Sequence, residues 1–248
     1  MDVYKEVIDA ESRIRAHTLT TPLVESKALS NLIGGKVYLK LESEQHTGSF
    51  KARGSLNKLV YLHQRGITDT ITSSSGNHAL GYARALEITA GQGTVYLPAT
   101  ASKAKIEALE DYPVKVVLHD DDPLSTEVFA KATAARENKT WLSPYNDFQV
   151  IGGQGTIGIE LEAQLEKIDS VLITMGGGGL ISGVGSYLKR VSTNTQIVGC
   201  EPENSADMCR SLAAGEIVGM EVEKETLSDG SAGGIEEDSV TFEICQSV

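Results

Sequence analysis

Short apolar runs that alternate with helical stretches constrain this chain more than any other feature. VYLKLE (37–42), DTITSS (69–74), TVYLPA (94–99), VKVVLH (114–119), SVLITM (170–175) and QIVGCE (196–201) read as strands. Between them, apolar spacing predicts helices over 50–65, 77–88, 102–111, 124–138, around 156–167, 180–190 and near 205–214, with TWLSP (140–144) as one more extended piece. Strands this apolar are buried on both faces, and helices between them are what parallel βαβ units need, so the fold class is α/β. Ahead of this pattern, Val3, Tyr4, Val7, Ile8 and Ile14 stand at helical spacing and predict an amphipathic helix. Pro22 follows in an extended connector, and Ser26 caps a second short helix that stops at Gly34-Gly35.

The 248 residues, 40% hydrophobic and 23% charged, suffice for one large core or two smaller ones and exclude disorder as the main state. With 22 Lys and Arg against 34 Asp and Glu, the net charge of −12 speaks against nucleic acid or an anionic membrane as partner. The start MDVYKEVIDAESRI lacks a basic segment followed by an apolar one, and no apolar run approaches the roughly 18 residues a membrane span needs, so a soluble protein is expected. Cys200, Cys209 and Cys245 are odd in number and never in CxxC form, which fits neither a disulfide framework nor a zinc site and points to a reducing cytoplasm.

Three segments carry chemistry. Met175-Gly176-Gly177-Gly178-Gly179-Leu180 falls where a strand ends and a helix begins. Each ordered glycine costs about 1 kcal/mol beyond alanine. A cradle of N–H groups around a phosphate at a helix N-terminus would offset that, and a flexible or tightly packed turn is the plainer alternative. It is not a P-loop, since no Lys-Ser/Thr follows. In His46-Thr47-Gly48-Ser49-Phe50-Lys51-Ala52-Arg53-Gly54, Lys51 enters a helix at its positive end, where its amine pKa is lowered and suits a Schiff base. The alternative is a surface lysine folded over its helix. Ser73-Ser74-Ser75-Gly76-Asn77-His78 gathers hydroxyls, an amide and turn N–H groups that suit a carboxylate or form an N-cap cluster, and His78 reads equally as a capping or core histidine.

HTGSFKARG, SSSGNHA and the GGGGL loop, in this order on βαβ units, resemble the serine/threonine dehydratase and serine racemase family of pyridoxal-phosphate enzymes, the fold-type II group. SPYNDFQVIGGQGTIGIELE (143–162) and GCEPENSADMC extend the resemblance over essentially the whole chain. It implies a two-domain, tryptophan synthase β-like α/β fold with parallel-rich twisted sheets flanked by helices. Residues 1–46 plus 146–248 would form a large domain and 47–145 a small mobile one. Lys51 would carry pyridoxal 5'-phosphate, with Phe50 beside it and Asn77 on the ring hydroxyl. Gly176, Gly177, Gly178, Gly179 and Leu180 would hold the phosphate. Ser74, Asn77 and His78 would receive the substrate carboxylate, and Ser75 matches the family's acid/base on the second face.

Glu201 and Asp207, six apart around a strand-to-helix turn, read either as a solvated acidic turn or as oxygen ligands for Mg²⁺ or Ca²⁺. The resemblance includes this spacing, with Ser205 contributing its carbonyl. Relatives continue beyond a helix like VTFEICQSV (240–248), so the large domain is expected to be incomplete at the C-terminus, and no ring-nitrogen contact is assigned. YPVKVV (112–117) also departs from the family, whose members usually have Gly-Ala before this strand. The activity implied is a dehydratase, or ammonia-lyase, that converts L-threonine or L-serine to a 2-keto acid and ammonia, in a homodimer with no nucleic-acid or membrane partner. Serine or aspartate racemisation and 3-hydroxyaspartate dehydration use the same groups. From a different class, an inactive cofactor-binding regulator has the same sequence features.

Overall fold

A computed structural model of the chain describes residues 2–219 and 226–248. Helix α1 (Val3–Ile14) opens on Asp2, whose carboxylate accepts from Lys5 N, and is followed by strand β1 (Leu23–Glu25), helix α2 (Lys27–Ile33) and strand β2 (Tyr38–Lys40). Ser26 caps α2 through Leu29 N, and Gly34 ends it at φ +69°, a left-handed turn that glycine adopts without strain. Helix α3 (Lys51–His63), strand β3 (Asp69–Ser73), helix α4 (Asn77–Thr89), strand β4 (Gln92–Leu97) and helix α5 (Lys103–Glu110) then alternate. Strand β5 (Lys115–Leu118), helix α6 (Pro123–Arg136) and strand β6 (Thr140–Trp141) complete this run. Next come helix α7 (Phe148–Gln164), strand β7 (Ser170–Thr174), helix α8 (Gly179–Val191) and strand β8 (Gln196–Cys200). Helices α9 (Asp207–Ala214) and α10 (Val240–Cys245) follow.

Strands β5, β4, β3 and β6, in that spatial order, form one parallel sheet, and β7 pairs parallel with β8. One core gathers Leu56, Leu59, Tyr82, Leu86, Val95, Leu97 and Leu142 between α3, α4 and the four-stranded sheet. A second gathers Val7, Ile151, Ile157, Ile173, Val184, Leu188 and Met208 around α1, α7, α8 and β7. The two meet along α3, so Lys51 opens a helix that lies between them.

Two elements depart from the sequence expectation. The connector after Pro22 contains β1, which pairs antiparallel with β2, Leu23 opposite Lys40. The helix expected around 156–167 begins at Phe148, where Asp147 accepts from Gln149 N and Val150 N at 2.9 and 3.0 Å. Glycines at 152, 153, 155 and 158 hide this start, because glycine lowers helix propensity. They are needed where neighbouring helices press on α7, and an added Cβ on Gly155 would overlap the Val7 side chain.

Candidate active site

Lys51 is the first residue of α3, and its backbone N–H donates to Ser49 Oγ at 3.3 Å. The turn before it is tight, with Thr47 at φ +62°, a left-handed conformation that a β-branched residue rarely adopts. The Lys51 Nζ donates to the Pro144 carbonyl at 2.9 Å and lies 5.4 Å from the centre of the Phe50 ring. Among the described residues it has no carboxylate within ion-pair distance. Burial without a counter-charge lowers its pKa from 10.5 to about 8.

Arg53, two residues on, is fully buried and anchors this end of α3. Its guanidinium pairs with Glu42 Oε1 at 2.8 Å and Glu160 Oε1 at 2.7 Å, and Glu160 also takes Lys40 at 2.6 Å and Arg15 at 2.8 Å.

The turn after β3 holds Ser74, Ser75 and Gly76 half-buried and Asn77 exposed, with Gly76 N donating to Ser74 Oγ at 3.2 Å. His78 does not join them. Its side chain is 3% exposed and sits with Nε2 3.0 Å from Thr72 Oγ1 and Nδ1 3.3 Å from Ser55 Oγ. Toward a carboxylate it can offer only its backbone N–H in the first turn of α4, so the core reading of this histidine holds for its ring. Burial first, and then the Lys51 charge, lower the imidazole pKa to about 3.

The glycine turn follows β7. Gly178 has φ +83°, and Gly179 opens α8, whose first N–H groups have no acceptor in their own helix. A Cβ on Gly177 would fall 2.5 Å from the Tyr145 ring and one on Gly176 2.7 Å from the Ser231 carbonyl oxygen. Close packing therefore demands glycine at both positions whatever the turn binds. Leu180 follows, half-buried.

Residues 142–145 connect the three segments. Leu142 accepts from Thr72 below the serine turn, the Pro144 carbonyl takes Lys51, and Tyr145 packs on the glycine turn. The sequence reading used this stretch as a mark of resemblance but assigned no role to Pro144 or Tyr145. A backbone carbonyl leaves no residue-type signal.

Glu201 accepts from Met208 N at 3.1 Å and Cys209 N at 2.7 Å, so its carboxylate caps α9. Ser205 Oγ accepts from Gly233 N, and Asp207 is buried at the start of α9. Among the described residues no group of three or more His, Cys, Asp or Glu side chains is placed to hold a metal. No described helix is long and apolar enough to cross a membrane.

A parallel α/β framework that holds a half-buried amine beside a glycine turn defines the class of protein. The family model described as pyridoxal-phosphate dependent enzyme matches residues 14–248, and the chain belongs to that family. Its fold is the fold-type II arrangement expected from the motifs. It is 37% identical over 241 residues to a threonine dehydratase of Nicotiana attenuata, covering 96% of this chain and 39% of that protein. It is 35% identical over 229 residues to the catabolic L-threonine dehydratase of Escherichia coli K12, covering 91% of this chain and 68% of the relative. The structure of maize serine racemase superposes with a TM-score of 0.91 at 29% identity, covering 98% of this chain and 73% of that one.

Proposed function

We propose that the chain forms the active site of a pyridoxal-phosphate ammonia-lyase that takes L-threonine or L-serine to a 2-keto acid and ammonia. The observation that carries this reading is Lys51, whose amine is half-buried, unpaired with any described carboxylate and held at Pro144 beside the glycine turn. With a pKa near 8, about a tenth of the amine is free at pH 7, against fewer than one in a thousand for an ordinary lysine.

The residues present fit the cofactor. Lys51 would attach it, Phe50 would line it, Asn77 would meet its ring hydroxyl, and the N–H groups of Gly176 to Leu180 would face its phosphate. When bound, pyridoxal phosphate supplies an electron sink for charge at the substrate Cα. Lys51 Nζ, as free amine, takes the Cα proton. Ser74, Asn77 and the first N–H groups of α4 hold the substrate carboxylate. The β-hydroxyl leaves as water, and hydrolysis of the remaining C–N bond yields ammonia and the keto acid. Movement of residues 47–145 against the rest would exclude water from this chemistry.

Racemisation is the second reading, favoured by the similarity to maize serine racemase, and in it Ser75, half-buried in the turn, would serve the opposite face of Cα. A divalent cation at Glu201, the Ser205 carbonyl and Asp207 is also proposed. Burial and then the Asp207 charge act to raise the Glu201 carboxyl, and a cation would relieve that repulsion. A melting temperature that rises with Mg²⁺ or Ca²⁺ in the parent but not in Asp207→Ala supports the site, and no response to either ion removes it. A homodimer in a reducing cytoplasm completes the proposal, in keeping with three free cysteines.

The test mixes the purified chain with pyridoxal phosphate, reduces with borohydride and maps the labelled peptide. Keto-acid release is then assayed with L-threonine, L-serine and threo-3-hydroxyaspartate. A label on Lys51 and keto acid from the first two substrates are expected, both lost in Lys51→Ala. A label on Lys40 instead would sink the assignment.

A further inference from the structure

His78 touches the lysine helix at Ser55 and the strand before the serine turn at Thr72, yet the proposed reaction gives its ring nothing to do. The geometry fixes its protonation. Thr72 Oγ1 donates its single proton to the Leu142 carbonyl at 2.7 Å, so toward His78 Nε2, 3.0 Å away, that oxygen can only accept. Nε2 therefore carries the proton. Nδ1 is left with its lone pair and accepts from Ser55 O–H at 3.3 Å. The ring is neutral and both nitrogens are engaged. Lys51 is the charged group acting on it, and a second positive charge there is opposed by burial and by that lysine.

The three partners come from the three pieces that the site requires. Ser55 is four residues after Lys51, on the same face of α3. Thr72 is the penultimate residue of β3, immediately before the serine turn. Leu142 stands two residues before Pro144, whose carbonyl receives the Lys51 amine. One ring thus ties the lysine helix, the serine turn and the lysine's acceptor together.

We propose that His78 is a positioning residue that holds Lys51 against Pro144 by bridging Ser55, Thr72 and Leu142, and that its ring is not a ligand of the substrate carboxylate. The inference deepens the proposed function and shares its site, but it is tested without cofactor or substrate. Lys51 reactivity is read by reductive methylation with formaldehyde across pH and mass mapping of its peptide, in the full chain and in His78→Gln, His78→Ala and Ser55→Ala. Loss of the bridge frees Lys51 to leave Pro144 and take on more water. The midpoint in His78→Ala should then rise from about 8 by a pH unit or more, leaving roughly tenfold less free amine at neutral pH. His78→Gln, which restores a donor toward Thr72, should return most of the shift. A folded His78→Ala with an unchanged midpoint overturns the proposal. If His78→Ala does not fold, Ser55→Ala removes one arm and leaves the ring, and an unchanged midpoint there counts equally against it.

Nitrogen-15 spectra of histidine-labelled protein provide an independent arm. They should show His78 protonated at Nε2 and not titrating between about pH 5 and 8, and a proton on Nδ1 or a titration in that range overturns the tie. Where the protein turns over L-threonine, a variant with raised KM, unchanged kcat and unchanged Lys51 midpoint would make His78 a substrate ligand after all. Failure of the parent chain to take up pyridoxal phosphate would sink the proposed function while leaving the methylation and nitrogen results to decide this one.

Discussion

At Lys51 and Gly177, single residues show where a sequence motif ends and packing takes over. The sequence places Lys51 at a helix entry and expects a lowered pKa there, and burial without a counter-charge lowers it to about 8. The direction is readable from the motif, but the cause needs the fold, because Pro144 lies 93 residues away in the chain. The glycine turn divides similarly. Phosphate binding is one reason for glycine there, and the Tyr145 ring against Gly177 is a second that no residue spacing reveals. Gly177→Ala should therefore destabilise the chain by about 1–3 kcal/mol even without cofactor, since a Cβ 2.5 Å from the ring forces Tyr145 to move. Urea unfolding of the apoprotein checks this. Stability equal to the parent would mean that the ring yields freely and that glycine is kept there for a ligand alone.

Among the elements, α7 and β1 mark the limit of sequence reading. Strands with apolar runs and helices with clean caps were legible, as at Ser26 and Gly34 around α2 and in the four parallel strands β3, β4, β5 and β6. Helix α7 lost its first two turns to the ordinary meaning of glycine as a breaker. Its glycines are explained by contacts with α1, α3 and α8, which are long-range and leave no local signal. Strand β1 is only three residues long and gains its pairing from β2 across α2, so an extended connector was the most the local pattern could show. The α7–α8 crossing gives the prediction at this scale. A Cβ on Gly183 would overlap the Ile151 carbonyl and stand 2.7 Å from Gly155 N, backbone atoms on a helix that cannot turn aside as a side chain can. Gly183→Ala should cost about 3 kcal/mol or more, although alanine is the better helix former. A thermal or urea melt that shows stabilisation by the propensity difference would refute the close approach.

Across the whole molecule, one buried ion cluster joins segments distant in the chain. Glu160 on α7 binds Arg53 on α3, Lys40 on β2 and Arg15 after α1, while Arg53 also holds Glu42. Burial acts to raise the Glu160 carboxyl, but the hydrogen bonds and charges of Arg53, Lys40 and Arg15 outweigh it and hold the pKa at about 2, below its ordinary 4.5. A carboxyl depressed in the folded state is a stabilising group above its unfolded pKa, and that contribution fades as pH falls from about 4.5 through about 2. The shift corresponds to roughly 3 kcal/mol, so the chain should lose about that much stability across this acid window, beyond what its exposed carboxylates account for. Glu160→Gln separates this cluster from general acid denaturation. It leaves three cations facing a neutral amide and should cost about 3–5 kcal/mol at neutral pH, as breaking a buried pair does. It should also flatten the acid limb, since the group whose protonation drove that loss is gone. The measurement is urea unfolding of parent and Glu160→Gln from neutral pH down to about pH 3, where Glu160 is still ionised in the folded state but protonated in most unfolded chains. Two curves that stay parallel throughout would place the acid sensitivity elsewhere. Curves that converge as pH falls would place it at Glu160, the carboxylate on which Arg53, Lys40 and Arg15 meet.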